Sequence, residues 1–101
     1  MKKTLVEIIS AVSELNEEAF VFAKRIDCAF RDESEAVVLE LTEEELSLPT
    51  AEVARIKCPG YEYFSEVFLI KELLEDQPLQ PNKAELKQLV DRVIHYAEFD
   101  S

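Results

Sequence analysis

The side chains that could do chemistry in this chain are mostly carboxylates. Its 101 residues include 22 Asp and Glu, but only one histidine, His95, and two cysteines, Cys28 and Cys58. A general base needs a nucleophile within reach, and no glycine-rich strand-to-helix turn presents a serine that His95 could activate. The sequence therefore predicts no catalytic residue, and it favours a binding protein over an enzyme.

Metal-binding patterns are also missing from the sequence. An EF-hand loop needs acids at alternating positions around a central glycine, and a zinc site needs clustered cysteines and histidines. The acidic run at 43–45 and the pair at 32–33 have neither arrangement. We therefore expect no metal and no other cofactor. The two cysteines lack a CxxC spacing, so we expect reduced thiols.

The formal net charge of −11 is the clearest chemical feature of the chain. Residues 27–52 contain nine acids and a single base, Arg31. Such a surface repels nucleic acid and anionic membranes, and it accelerates encounter with basic proteins. The alternative is that the acids have no binding role and only keep the protein soluble. The predicted acidic partner surface consists of Asp32, Glu33, Glu35, Glu43, Glu44 and Glu45.

The length indicates one domain over residues 1–101. No apolar run approaches the ~20 residues of a membrane-spanning helix. Glu7 interrupts the only N-terminal stretch that resembles the apolar part of a signal peptide. We therefore expect a cytoplasmic protein.

Apolar residues at helical spacing predict a helix near each end of the chain. Thr4 and Glu7 have the spacing of a capping box, and the helix behind them should reach about Leu15. Asn82 and Glu85 have the spacing to cap the C-terminal helix. Its predicted apolar stripe is Leu86, Val90, Val93 and Ala97, thickened by Leu89 and Ile94.

Two segments rich in β-branched and aromatic residues predict strands. The first is 19–26, with Phe20 and Phe22 on its core face, and the second is 36–41. Residues 53–58 are compatible with either a short helix or a third strand, and Pro59 with Gly60 ends whichever forms.

The densest apolar run, at 61–76, has an ambiguous period. A helix is predicted because strict alternation fails, with a strand over 63–69 as the alternative. Leu69 and Leu73 fall on the polar side of that helix, so they predict a weak homodimer if nothing covers them. The positions at helical spacing are Tyr63, Val67, Ile70 and Leu74.

Together these elements predict an α+β fold. It would contain an N-terminal helix, a small antiparallel sheet of two to three strands, and two C-terminal helices packed on one face of that sheet.

Two runs near the C-terminus resemble a family of short acidic bacterial proteins without an assigned function. They are YFSEVFLIKELLED at 63–76 and VIHYAEFDS at 93–101. They are similar to the family's YFxEVxxxKExxE-like run and C-terminal YAExD-like motif. The resemblance supports the fold and implies no activity. The matching positions are Tyr63, Phe64, Glu66, Val67, Lys71, Glu72, Glu75, Tyr96, Ala97, Glu98 and Asp100.

Helix packing alone does not require the polar residues Glu66, Tyr96, Glu98 and Asp100. If the last two helices are antiparallel, these residues could line a small polar cleft, or Tyr96 could simply hydrogen-bond Glu66. The first functional hypothesis is therefore an immunity- or inhibitor-like module that binds a basic protein. The alternative is a small-molecule-binding domain or unrecognised enzyme that uses this cleft.

Overall fold

The computed structural model describes residues 3–75 and 82–99 of the chain. Four strands and five α-helices occur in this part, together with a short 3₁₀ helix at Val12–Glu14. In chain order they are β1 (Lys3–Thr4), α1 (Leu5–Ser10), β2 (Phe20–Ala23), β3 (Glu35–Leu39), α2 (Glu43–Leu46), α3 (Thr50–Lys57), β4 (Glu62–Glu66), α4 (Val67–Leu73) and α5 (Lys83–Phe99).

The four strands form one antiparallel sheet in the order β1-β3-β2-β4. The mixed helix-and-sheet class agrees with the prediction, but the prediction of two to three strands was wrong. β1 has only two residues, which is too short for an alternating pattern to mark it. β4 comes from the segment that was predicted to be helical.

Both faces of the sheet are covered, so the predicted packing of two C-terminal helices on one face describes only part of the arrangement. On the central strand β2, Val21 and Ala23 belong to the main core with residues of α1, α4 and α5. Phe22 faces the other way, into a smaller cluster with Val53 and Ala54 of α3. The strand predicted at 19–26 forms only over Phe20–Ala23, and it is packed on both faces because successive side chains of a strand point to opposite sides.

The terminal helices begin where the capping patterns predict. The Glu7 N–H donates to the Thr4 hydroxyl and the Thr4 N–H donates to the Glu7 carboxylate, which completes a capping box. At α5, the Glu85 N–H donates to the Asn82 side chain at 2.8 Å. The predicted stripe of α5 is confirmed, since its residues are buried or are packed against the main core.

The first helix is shorter than predicted. α1 ends at Ser10, and residues Val12–Glu14 continue as a 3₁₀ turn instead of helix to Leu15. The Ser10 hydroxyl donates to the Glu7 carbonyl at 2.8 Å, a local bond that competes with continued α-helix.

The helix predicted at 61–76 is a strand followed by a helix. Tyr63 packs edge-on against Phe22 at 6.1 Å, whereas its neighbour Phe64 packs edge-on against Phe30 at 5.0 Å in the main core. Only the period of a strand sends adjacent side chains into two cores on opposite faces. The strand alternative is thus right for β4, and the helical spacing holds only from Val67 onward.

Residues 53–58, for which the sequence allowed either a helix or a strand, belong to helix α3 as far as Lys57. It covers the second face of the sheet and ends at Cys58, which is buried. Gly60 then has a φ of +91°, a conformation that side chains with a Cβ rarely adopt. The single glycine of the chain therefore stands at the turn that leads α3 into β4.

None of the helices in the described ranges is long and apolar enough to span a membrane. Cys28, which is exposed, and Cys58 are both free thiols.

Candidate interaction surfaces

The short helix α2 is held in place by local hydrogen bonds and one ion pair. The Thr42 N–H donates to the Glu45 carboxylate at 2.9 Å, and the Glu45 N–H donates to the Thr42 hydroxyl at 3.2 Å. The Lys57 ammonium, at the end of α3, lies 3.0 Å from the same carboxylate. A helix of one turn is unstable in isolation, so these contacts fix the direction in which α2 presents its other side chains.

The exposed side chains in and directly after α2 are both acidic and apolar. We define the α2 surface as Glu43, Glu44, Leu46 and Leu48, all of them exposed. Leu46 is 54% exposed and Leu48 is 41% exposed. Sequence reasoning identified the two glutamates and missed the two leucines. The available signal was a pair of leucines in a segment without helical or strand period, where no core face explains them.

The rest of the predicted acidic surface is partly neutralised within the chain. Glu35 lies 3.3 Å from the Lys24 ammonium and accepts a hydrogen bond from the Tyr61 hydroxyl. The Asp32 carboxylate lies 3.8 Å from the ammonium of Lys87 on α5. Glu33 is exposed. Of the six predicted acids, Asp32, Glu35 and Glu45 therefore have cationic partners in the fold. Their carboxylates are less available to an external partner.

Glu98 has a structural partner, Arg25. The Arg25 guanidinium donates to the Glu98 carboxylate, lies 3.1 Å from that of Glu62, and stacks 4.2 Å from the centre of the Phe30 ring. Burial lowers the pKa of Arg25, but the bonds to Glu98 and Glu62 more than offset this, so its pKa is raised. The Glu98 side chain is 16% exposed. It ties the end of α5 to the sheet.

Glu66 and Tyr96 lie near a third polar group, the hydroxyl of Tyr63. Burial raises the pKa of the Tyr63 hydroxyl, and the charges of Glu66 and Tyr96 raise it further. Glu66 is the N-cap residue of α4, although its side chain makes no capping bond. Within the described ranges, no hydrogen bond joins Tyr96 to Glu66. Asp100 lies outside the described residues.

Two hollows in the described surface were candidates for a ligand. A cleft of about 460 Å³ lies between α3 and β4, and a smaller one of about 260 Å³ lies on α4. The first is lined by Thr50, Ala51, Ala54, Arg55, Pro59, Gly60, Tyr61, Glu62 and Tyr63. The second is lined by Glu17, Phe68, Lys71, Glu72 and Glu75.

Neither hollow is lined by Glu66, Tyr96 or Glu98. The larger one has the size of a ligand pocket, but its charged groups are already engaged, Arg55 with Glu52 and Glu62 with Arg25. A specific small-molecule site needs polar groups that are available to the ligand. The cleft therefore gives little support to the small-molecule alternative.

Over residues 3–75 and 82–99, no cluster of three or more His, Cys, Asp or Glu side chains could hold a metal ion. Comparison with protein-family models, curated proteins and solved structures found no match to this chain. The family resemblance of the C-terminal runs therefore stays a prediction, and function has to be argued from the surfaces.

Glu45 should titrate below its ordinary pKa of 4.5, because the Thr42 N–H and the Lys57 ammonium both stabilise its charged form. Its contribution to stability is then present above pH 4.5 and is lost as the pH falls through the lowered pKa. NMR titration of the Glu45 side chain measures this pKa directly. In Lys57→Met the pKa should rise only part of the way back, since the Thr42 bond remains. An unchanged pKa in that variant would contradict the ion pair.

Proposed function

We propose that this protein is an immunity- or inhibitor-like interaction module that binds a basic protein partner through the α2 surface. The observation that supports this proposal is the exposure of Leu46 and Leu48 in the same short segment as the exposed Glu43 and Glu44. Apolar anchors within a charged rim are the usual anatomy of a protein-binding patch.

The two kinds of side chain have different roles in this proposal. Leu46 and Leu48 are each about half exposed, so covering both would contribute about 1.5–3 kcal/mol before the cost of association. Glu43 and Glu44 contribute mainly to encounter rate and to the choice of partner, because carboxylates in a rim are well solvated. The net charge of −11 extends the same attraction over the whole surface.

A basic toxin or nuclease is the class of partner that suits this surface best. A small acidic protein can neutralise such a partner by occupying its cationic substrate groove, and it needs no chemistry of its own. The proposal places this encounter in the cytoplasm, where the exposed thiol of Cys28 would stay reduced.

Affinity capture from an extract of the native host tests this proposal. The protein should retain a basic protein at low salt and release it at high salt, because ions screen the attraction between exposed charges. Retention that does not respond to salt would contradict the electrostatic part of the proposal. Failure to retain any basic protein at low salt would contradict the proposal as a whole.

A weak homodimer through α4 is a second candidate, and the exposure of Phe68 favours it. Phe68 is 41% exposed, whereas Leu69 and Leu73, the residues on which the prediction rested, are half-buried. Leu73 packs against the main core, so Phe68 replaces the two leucines as the proposed centre of the contact. Glu17, Glu72 and Glu75 surround the same hollow and would repel their copies across an interface.

This dimer should be weak and should tighten as salt rises, since salt screens the repulsion between two acidic subunits. Sedimentation velocity at two protein concentrations and two salt levels measures it. Phe68→Glu should be monomeric under all four conditions, and Leu48→Glu, which also places a glutamate at an apolar site that is 41% exposed, should behave like the wild type. A wild type that stays monomeric, or a Phe68→Glu variant that still dimerises, rejects the dimer.

A further inference from the structure

The short helix α2 is attached to the rest of the fold by a single pair of side chains. None of its residues is buried, and neither apolar core contains one of its side chains. Over residues 3–75 and 82–99, the Glu45 carboxylate and the Lys57 ammonium make the only hydrogen bond or ion pair that joins α2 to another helix or strand. A one-turn helix without buried contacts is marginally stable, because little offsets the entropy lost when its backbone is fixed. The arrangement of the α2 surface therefore depends on this one link.

The link connects the cap of α2 to a firmly packed helix. Lys57 is the last residue of α3, whose Val53 and Ala54 side chains are buried in the smaller cluster. Its Nζ lies 3.2 Å from Oε1 and 3.0 Å from Oε2 of Glu45, and the same Oε1 accepts the Thr42 N–H at 2.9 Å. The Glu45 and Lys57 side chains are 25% and 32% exposed. One carboxylate thus completes the capping box and anchors it to α3.

We propose that Lys57 is the positioning residue of the α2 surface, and that its ion pair with Glu45 holds α2 in the ordered state that a basic partner recognises. This role rests on the proposed function of that surface, and it requires no contact between Lys57 and the partner. The opposing explanation is that Lys57 is an ordinary surface cation. Its loss would then strengthen the attraction for a basic partner, because the net charge of −11 would fall by one.

The ion pair is expected to act on α2 and not on the fold as a whole. Partly exposed ion pairs contribute little to the free energy of unfolding. A segment whose ordered and open states are nearly balanced still responds to a small contribution, because the ratio of the two states shifts with it directly. The reporters of this balance are the N–H groups of Leu46 and Leu48, which donate to carbonyls of the same turn.

Amide exchange of the complete chain, measured by NMR, tests the positioning role in the free protein. Lys57→Met removes the cation, whereas Glu45→Gln removes the anion and keeps a residue that can complete a capping box. The two changes shift the net charge in opposite directions. Both should nevertheless accelerate exchange at Leu46 and Leu48 about two- to fivefold, the size that one weak ion pair allows. Lys57→Arg should restore the wild-type rates.

Arg55→Met is the matched control. Arg55 carries the same charge on the same helix, but its ion-pair partner, Glu52, also belongs to α3. Its loss should leave exchange in α2 at the wild-type rate, and urea denaturation should show that all variants keep the wild-type stability closely. Equal exchange in Arg55→Met and Lys57→Met, or wild-type exchange in Glu45→Gln, would overturn the proposal.

Affinity capture tests the consequence for binding. The basic protein that the wild type retains at low salt should be held more weakly by Lys57→Met, although this variant is more negative, and at least as strongly by Arg55→Met. Retention by Lys57→Met that equals or exceeds retention by Arg55→Met would overturn the positioning role. If the wild type retains no basic protein, the proposed function fails, whereas the exchange rates still decide whether Lys57 orders α2.

Discussion

Phe22→Ala is expected to lower the free energy of unfolding by about 3–5 kcal/mol, the range for truncating a buried phenylalanine. The Phe22 side chain is 0% exposed and packs with Val53, Ala54 and Cys58. Its ring also meets that of Tyr63 edge-on at 6.1 Å. This cluster is small, so α3 cannot collapse onto the sheet to fill the cavity without losing its other contacts.

Phe20→Ala is the matched control, because Phe20 lies on the same strand and packs against the same cluster while remaining half-buried. Phe20→Ala should lower the free energy of unfolding by about 1–2 kcal/mol, since the half-buried Phe20 side chain removes less apolar surface from water on folding. Urea denaturation of the two variants measures the difference. Equal costs, or a cost below 1 kcal/mol for Phe22→Ala, would contradict a sheet with cores on both faces.

Arg25→Met should lower the free energy of unfolding by about 1.5–3 kcal/mol. This is the usual contribution of hydrogen bonds to charged groups that are partly shielded from water. Methionine keeps an apolar stem over the Phe30 ring but removes the guanidinium. Glu98, which is mostly shielded from solvent, and Glu62 then lose their cation. Since Glu98 lies near the end of α5, amide exchange should increase there more than in α1.

A double-mutant cycle with Glu98→Gln separates this pairing from a general loss of packing. If Arg25 acts through Glu98, Arg25→Met should cost much less in the Glu98→Gln background than in the wild type. Additive costs would show that the two side chains do not stabilise each other. Glu98 would then be available for the binding role that the sequence predicted.

Features of the fold that depend on local sequence could be predicted well. The capping pairs at Thr4 and at Asn82 and the stripe of α5 each involve residues within a few positions of one another. β1 could not be predicted, because its two residues become a strand only by pairing with β3, more than thirty positions away, as in Lys3 with Ala36. In β4, the local spacing favoured a helix. A strand forms instead because its side chains pack into two cores on opposite faces of the sheet.

The same distinction between local sequence and long-range contacts applies to the predicted acidic surface. Composition identified the acidic run, but only the fold determines which of its acids have internal partners. Glu45 meets Lys57 and Glu35 meets Lys24, two cations separated from these acids by about a dozen positions. Leu46 and Leu48 are binding candidates because they are exposed, and no periodicity in that segment predicts their exposure.

The central claim, that the α2 surface contacts a basic partner, is tested most directly by two variants of equal charge. Glu43→Lys/Glu44→Lys and Glu17→Lys/Glu75→Lys each raise the net charge by four from −11, and all four glutamates are exposed. The measurement is the dissociation constant of the captured basic protein for the wild type and both variants at 0.15 M NaCl. The account predicts at least tenfold weaker binding for Glu43→Lys/Glu44→Lys and less than threefold for the other variant. Equal weakening in both, or full affinity in Glu43→Lys/Glu44→Lys, would contradict it.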